Sequence, residues 1–288
     1  MLVGVDVGGT KIEVSLVKGD KVVKKTRRQT EADKGSDAVL NNIADAIVEV
    51  FSDDVEAVGV GLAGPFDPEK GVMIQSPHIS CLVGFPIGDH LEERFKVRVA
   101  VDNDARMFTR GVLEFEYKGV RNLVGLTLGT GVGGAVVTDG KMEENPRETS
   151  EEVGHMVVEE GGRNCACGGR GCIEAYASGR AMEERYMELT GESLDAKSIV
   201  EKADGRDEAA KRVVEEAGAY LARGFAAIVD KFKPEVIAIG GGVSEATALL
   251  RIARVEFDKL RLNVRVRIEK SRLKDATLLG AAWFAARS

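Results

Sequence analysis

Residues 2–10 read LVGVDVGGT, and residues 123–131 read LVGLTLGTG. In each copy an apolar run ends in a glycine turn and a second β-rich run follows, closed by Lys18-Gly19-Asp20 in the first and Asp139-Gly140 in the second. Two more pairs recur in the same order: 55–64 (VEAVGVGLAG) with 234–243 (PEVIAIGGGV), and 96–101 (KVRVAV) with 263–268 (NVRVRI). A repeat whose period is a whole domain restricts the chain to two similar halves. Helical stripes lie between the strands, Val39, Ile43, Ile47 and Val50 in the first half and Val213, Ala217, Leu221 and Ile228 in the second, so each half is α/β. At 288 residues there is chain enough for two cores. One helix is expected from Ile173 to Leu189, ending near Gly191, and an apolar helix from Thr277 to Ala286 that returns to the first domain. The expected division is a smaller N-terminal domain of 1–105 plus 275–288, and a larger domain of 106–274 that carries a metal-binding loop.

That loop is the densest chemistry in the chain. His155, Cys165, Cys167 and Cys172 fall close together, bracketed by Glu152 and Glu174. Such spacing reads as zinc, and four protein ligands leave no position for water, so the metal braces a loop and hydrolyses nothing. The remaining thiol, Cys81, stands alone, which fits reduced cysteines in a cytoplasmic protein rather than a disulfide framework. A net charge of -7 without a long basic run argues against nucleic acid or an anionic membrane as partner. No stretch is apolar enough to span a bilayer, and the first residues enter a strand pattern directly, with no leader.

Three glycine turns follow strands: Gly8-Gly9-Thr10, Gly129 to Gly134, and Gly240-Gly241-Gly242. Such turns bring backbone N–H groups against phosphate oxygens, because glycine permits close approach and positive φ. Gly129, Gly131 and Gly134 have the dinucleotide spacing, but the hairpin strand that follows stands where that motif requires a helix, which counts against NAD. No Gly-Lys-Ser/Thr follows, so this is no Walker loop. Two duplicated hairpin turns facing each other would clamp one triphosphate, with the third near the base or ribose. Asp6, before the first turn, reads either as a turn acceptor or as a carboxylate that holds Mg²⁺. Asp102-Asn103-Asp104 reads equally as a helix cap and as a proton acceptor beside an amide that holds a hydroxyl.

Together these residues resemble the ROK family of sugar kinases and regulators, in the actin-like, hexokinase-like ATPase superfamily. The resemblance rests on DVGGTK at the start, AGPFD at 63–67, VDNDA, LGTGVGG, EVGH, CACGGRGCIE and IGGGV, and it spans nearly the whole chain. It implies a duplicated ribonuclease-H-like fold, two domains flanking a cleft, and transfer of the γ-phosphate of ATP to the 6-hydroxyl of a hexose. By the same resemblance Asp104 is the general base, and Asn103, Glu152, His155 and Glu174 contact the sugar, with Gly64 and Pro65 in the loop beside it. Gly8, Gly9, Thr10, Gly131 and Gly133 would lie on the phosphates, flanked by Lys11, Gly129 and Thr130, with Asp6 near Mg²⁺ and Gly241 and Gly242 near the adenosine. Zinc would brace the loop that presents Glu152 and Glu174, His155 using one ring nitrogen for the metal and the other for a hydroxyl.

Three positions depart from the family pattern: Pro77-His78 where Pro-Asn is usual, Glu151 before the EVGH motif, and Asp102 where Glu or Asn is frequent. They bear on which sugar is taken, since specificity rests on a few hydroxyl or acetamido contacts. A glucokinase is expected first, with an N-acetylmannosamine kinase or fructokinase as the alternative. A sugar-responsive regulator of the family is disfavoured, because such regulators carry an N-terminal helix-turn-helix domain and a first phosphate turn beginning at residue 6 is expected to leave no room for one. A homodimer or homotetramer is expected.

Overall fold

The computed structural model describes residues 1–76, 78–143, 152–205, 207–260 and 264–288. Two of the departures, Pro77 and Glu151, lie outside the described residues, as does Asn263 at the head of one repeat segment. In order the elements are β1 (Leu2–Val7), β2 (Lys11–Lys18), β3 (Lys21–Gln29), α1 (Ser36–Val50), β4 (Ala57–Leu62), β5 (Phe66–Asp67), β6 (Val72–Met73), α2 (Ile87–Phe95), β7 (Arg98–Asn103) and α3 (Asp104–Phe115). Then come β8 (Leu123–Leu128), β9 (Val132–Thr138), β10 (Lys141–Met142), α4 (Glu174–Ala177), α5 (Gly179–Thr190), α6 (Ala196–Gly205), α7 (Glu208–Phe232), β11 (Val236–Gly240), α8 (Thr247–Lys259), β12 (Arg267–Lys270) and α9 (Ala276–Ala285).

The repeat read from the sequence is a repeat of topology. One five-stranded sheet runs β3-β2-β1-β4-β7 and the other β10-β9-β8-β11-β12. In both, the opening strand pairs antiparallel with its hairpin partner and parallel with the strand that follows the crossover. Opening strand, hairpin strand and crossover strand of one sheet therefore answer to those of the other, with Asp6 at the position Thr127 holds in the second. The crossover strands β4 and β11 are buried throughout, as parallel strands covered on both faces must be, which explains their continuous apolar runs. The last repeat segment is shifted: the strand expected at 263–268 begins at Arg267.

The chain divides into two compact units of equal length, Met1–Gly119 with Met142–Thr149 and Arg272–Ser288, and Val120–Lys141 with Ser150–Ser271. The division expected near residue 105 differs from this one because α3 packs on α9, inside the first unit. Their contact is backbone to backbone: a Cβ at Gly111 would strike the carbonyl of Ala276, and one at Gly280 the carbonyl of Met107. α9 also covers β1 and β4, which is why it is apolar all round. Each unit has its own core. Val39, Ile43 and Ile47 of α1 pack on β1, β2 and β4 in the first, and Val213, Leu221 and Ile228 of α7 on β8 and β11 in the second.

The single helix expected from Ile173 to Leu189 is two. Ser178 is extended (φ -77°, ψ 160°), ends α4, and caps α5 by accepting from Ala181 N. The far end stands as expected, with Gly191 at φ 75°.

Candidate functional site

In the first unit the site grows from the ends of β1, β4 and β7. Asp6 pairs with Gly61 and Gly61 with Asp102, so the three strand ends lie side by side. The chain turns after Asn103 into α3, whose cap is the Asn103 side chain accepting from Arg106 N at 3.1 Å. Asp104 is thus the first residue of α3, over Gly61: a Cβ on Gly61 would be 3.3 Å from Asp104 Cα. Burial pushes the Asp104 carboxyl up to about 6. Burial first, and then the Asp104 and Glu13 carboxylates, push Asp6 up to about 7, against the opposing pull of Lys11 and Lys25. Asp104 is therefore a carboxylate near neutral pH with appreciable proton affinity, which is what a general base needs. Lys11 is ion-paired to Glu13 at 3.0 Å.

Of the two readings of Asp102-Asn103-Asp104, the helix cap is seen, and it belongs to Asn103. Asn103 caps the helix and its Nδ2 donates to Gly64 O at 3.0 Å, tying the Gly64-Pro65 loop to the head of α3 beside Asp104. Gly64 has φ 143° and its Cβ would strike Gln75 O, so no other residue fits there. Asp102, a departure that bore on specificity, is a buried counter-ion. Its carboxylate takes Arg106 Nε at 3.1 and 3.0 Å, Arg110 Nη2 at 2.7 Å and the Asn103 N–H at 2.8 Å. Arg106 also donates to Glu143 O at 2.7 Å, and Arg110 lies over the Phe284 ring at 4.1 Å. This cluster was missed in the sequence: Arg106 and Arg110 share the four-residue spacing of one face of α3, but Asp102 lies in β7 ahead of the cap, so helical spacing alone does not join it to them.

The glycine turns work by close approach more than by positive φ. Of the candidate glycines in them, only Gly241 has the left-handed backbone, φ 86°. A Cβ on Gly9 would be 2.6 Å from His78 Cβ, and one on Gly131 would be 2.5 Å from Glu174 Oε2. In the first turn the carbonyls of Gly8, Thr10 and Lys11 accept from Thr30 Oγ1, Thr30 N and Gly8 N. In the turn between β8 and β9, the carbonyls of Gly129, Thr130 and Gly131 accept from Gly179 N, Arg180 N and Gly129 N. The Gly8 and Gly129 N–H groups are spent within their own turns, and with the turn oxygens engaged inside the protein the N–H groups that follow them can be offered to an anion, so both turns fit phosphate. Gly133 lies in β9 opposite Thr127. After β11, Gly241 starts a short helical turn at Gly242, and Gly241 O accepts from Ser244 N at 3.1 Å.

The metal loop belongs to the second unit. Cys165 N donates to Gly169 O at 2.9 Å and Gly168 N to Cys165 O at 3.0 Å, a tight knuckle that brings the thiols together. The ligand atoms of His155, Cys165, Cys167 and Cys172 all lie within 4.8 Å of one another. Zinc bonds of about 2.3 Å to sulfur and 2.0–2.1 Å to nitrogen at tetrahedral angles put two thiolates roughly 3.8 Å apart, and thiolate and imidazole nitrogen roughly 3.6 Å apart. The observed separations are 3.7 Å for Cys167 Sγ to Cys172 Sγ and 3.4 Å for Cys165 Sγ to His155 Nδ1. The four residues therefore fit zinc. Without it burial raises the Cys165 thiol beyond its ordinary range and Cys172 to about 11, and burial lowers His155. A divalent ion inverts this for the thiols by binding them as thiolates, and takes His155 in the neutral form that burial already favours.

The other ring nitrogen of His155, Nε2, is 3.7 Å from Glu152 Oε2, so the two flank one point. Glu174 opens α4; its Oε2 accepts from Val132 N at 2.9 Å, and its Oε1 is 3.8 Å from Cys165 Sγ. Tyr176 stacks on Tyr220 of α7 at 3.7 Å, and its hydroxyl accepts from Arg163 N at 2.8 Å, which anchors the loop to α7.

The sequence matches the model of the ROK family over residues 2–288. It is 39% identical to a glucokinase of Thermotoga maritima over 86% of this chain and 84% of that one. It is 31% identical to an N-acetyl-D-glucosamine kinase of Citrobacter koseri over 99% of this chain and 98% of that one. The fold matches that of a ROK family glucokinase from Streptomyces griseus in complex with glucose and AMPPNP, with TM-score 0.87 and 28% identity over 100% of this chain and 99% of that one.

Proposed function

The chain belongs to the ROK family, and from that premise we propose that it is an ATP-dependent hexokinase of the glucokinase type, with Asp104 as its general base. The observation that carries the role of Asp104 is its carboxyl, held at the head of α3 and raised to about 6 by burial. It takes the proton from the 6-hydroxyl of the hexose as that oxygen attacks the γ-phosphorus and the bond to the leaving ADP oxygen breaks. Asn103, the Gly64-Pro65 loop, Glu152, His155 and Glu174 bind the sugar in this reading. The turns at Gly8-Gly9-Thr10-Lys11 and Gly129-Thr130-Gly131, with Gly133, bind the phosphates, and Gly241 and Gly242 lie at the adenosine.

Mg²⁺ supplies charge neutralisation on the phosphates, and Asp6 is the oxygen donor that fits it, since a carboxylate raised to about 7 among other carboxylates is relieved by a cation. Zinc serves as a brace, held by His155, Cys165, Cys167 and Cys172, so that Glu152 and His155 Nε2 face one point. Among the described residues no helix is long and apolar enough to cross a membrane. A cytoplasmic enzyme that self-associates as a dimer or tetramer completes the reading.

Asp104→Asn tests it. Loss of a general base lowers kcat by about 10²–10⁴-fold, with glucose binding retained; turnover near the wild-type rate would remove Asp104 from the role. A second reading, phosphorylation of an N-acetylhexosamine, is favoured by the Citrobacter koseri relative. An ADP-release assay over glucose, mannose, fructose, N-acetylglucosamine and N-acetylmannosamine decides between them by kcat/KM.

A further inference from the structure

The turn between β8 and β9 is gripped by the stretch that immediately follows the last metal ligand. Glu174, two residues beyond Cys172, accepts from Val132 N at 2.9 Å through Oε2, and its Oε1 lies 3.8 Å from Cys165 Sγ. The break at Ser178 then aims two amides at the same turn, Gly179 N at Gly129 O (2.8 Å) and Arg180 N at Thr130 O (3.2 Å). The fit is close enough that a Cβ on residue 131 would stand 2.5 Å from Glu174 Oε2. One short run of chain thus begins as a metal ligand, fixes the orientation of the 131–132 peptide with a carboxylate, and fixes the two preceding peptides with helix N-terminal amides. A turn with two carbonyls and the following N–H held by one segment, and its third carbonyl closed on its own Gly129 N–H, moves with that segment, and its anion-binding N–H groups move too.

We propose that Glu174 is a positioning residue for the phosphate-binding turn, and that the His155, Cys165, Cys167 and Cys172 cluster sets nucleotide affinity through it. This adds to the sugar contact assigned to Glu174 and rests on the reading that Gly129 to Gly133 take the phosphates. A hydrogen bond from an amide to a charged acceptor is worth about a factor of ten or more when it fixes a binding group.

The test is calorimetric binding of ADP and of a non-hydrolysable ATP analogue to the zinc-loaded chain, without sugar, with zinc content measured on every variant. Glu174→Gln keeps an oxygen that accepts from Val132 N–H and is expected within about threefold of wild type, whereas Glu174→Ala raises the Kd about tenfold, roughly 1.4 kcal/mol. Gly131→Ala presses on the same carboxylate and gives a comparable loss, which the Glu174→Ala background relieves. Zinc removal weakens nucleotide binding of the wild type by about the same factor and that of Glu174→Ala by much less. Zinc retained with weakened binding places the loss at the turn. Nucleotide affinity unchanged in both Glu174→Ala and Gly131→Ala overturns the proposal, and so does an equal loss in Glu174→Gln and Glu174→Ala. A wild type that binds no adenine nucleotide overturns the kinase reading itself, a distinguishable result.

Discussion

Replacing Asp102 by Asn should destabilise the chain far more than any surface ion pair does. The Asp102 side chain is 4% exposed and its partners Arg106 and Arg110 are 9% and 14% exposed, so water cannot compensate for the lost charge. Asn keeps the volume and one acceptor, and leaves two buried guanidinium groups close together with no anion. Burial already disfavours the charge on Arg110, and the Arg106 charge adds to that. Stranding buried charges in this way costs about 3–5 kcal/mol. At roughly 2–4 °C per kcal/mol for a chain of this size, the melting temperature falls by about 10 °C. Glu201→Gln is the control: its pair with Lys197 spans 3.8 Å with side chains 67% and 86% exposed, and such pairs contribute little. Urea titration followed by circular dichroism gives both values on one scale. An Asp102→Asn midpoint indistinguishable from that of Glu201→Gln would refute the account of the cluster as a buried, charge-balanced anchor for α3.

The pH profile follows from Asp104. In the proposed role Asp104 must be ionised, so kcat/KM should fall tenfold per pH unit below about 6, the raised value of that carboxyl, and a profile flat to pH 5 would refute this. The stability term has the opposite sense: its folded pKa exceeds the unfolded one, so the folded chain binds the extra proton, and that contribution is lost as pH rises through about 6. Gly280→Ala drives a Cβ into the Met107 carbonyl where α9 crosses α3 and should cost more than 2 kcal/mol, about the range of overpacked cores, read from the same urea titration; a neutral result would mean the helices can separate freely. Cys167→Ser should lower zinc content and raise the KM for hexose, and unchanged KM at reduced zinc would make the metal a fold staple only.

Much of this was legible because periodicity and repetition are local properties of the chain. The apolar runs of β1 and β8, the helical stripes of α1 and α7, and the Gly191 stop follow from residue spacing alone, and pairing the repeats gave two similar halves; the strand order within each sheet came only from the tertiary structure. The metal cluster was legible too, because ligand type and spacing are set within one loop. Ser178 was not: its interruption of α4 and α5 depends on the turn at Gly129 and Thr130, far away in the chain, accepting the freed amides of Gly179 and Arg180. Nor was the reason for the glycines, since Gly9 and Gly131 are needed by what packs on them, His78 and Glu174, rather than by their own φ.

Asp102, Asn103 and Asp104 mark the division most clearly. By itself the sequence determined that a carboxylate-amide-carboxylate run closes a strand and starts a helix. Only the tertiary structure assigned them separate work, because burial and partner geometry distinguish identical side chains. One aspartate is buried against two arginines as an anchor, and the other, half-buried and desolvated at the head of α3, is left with a proton affinity raised to about 6.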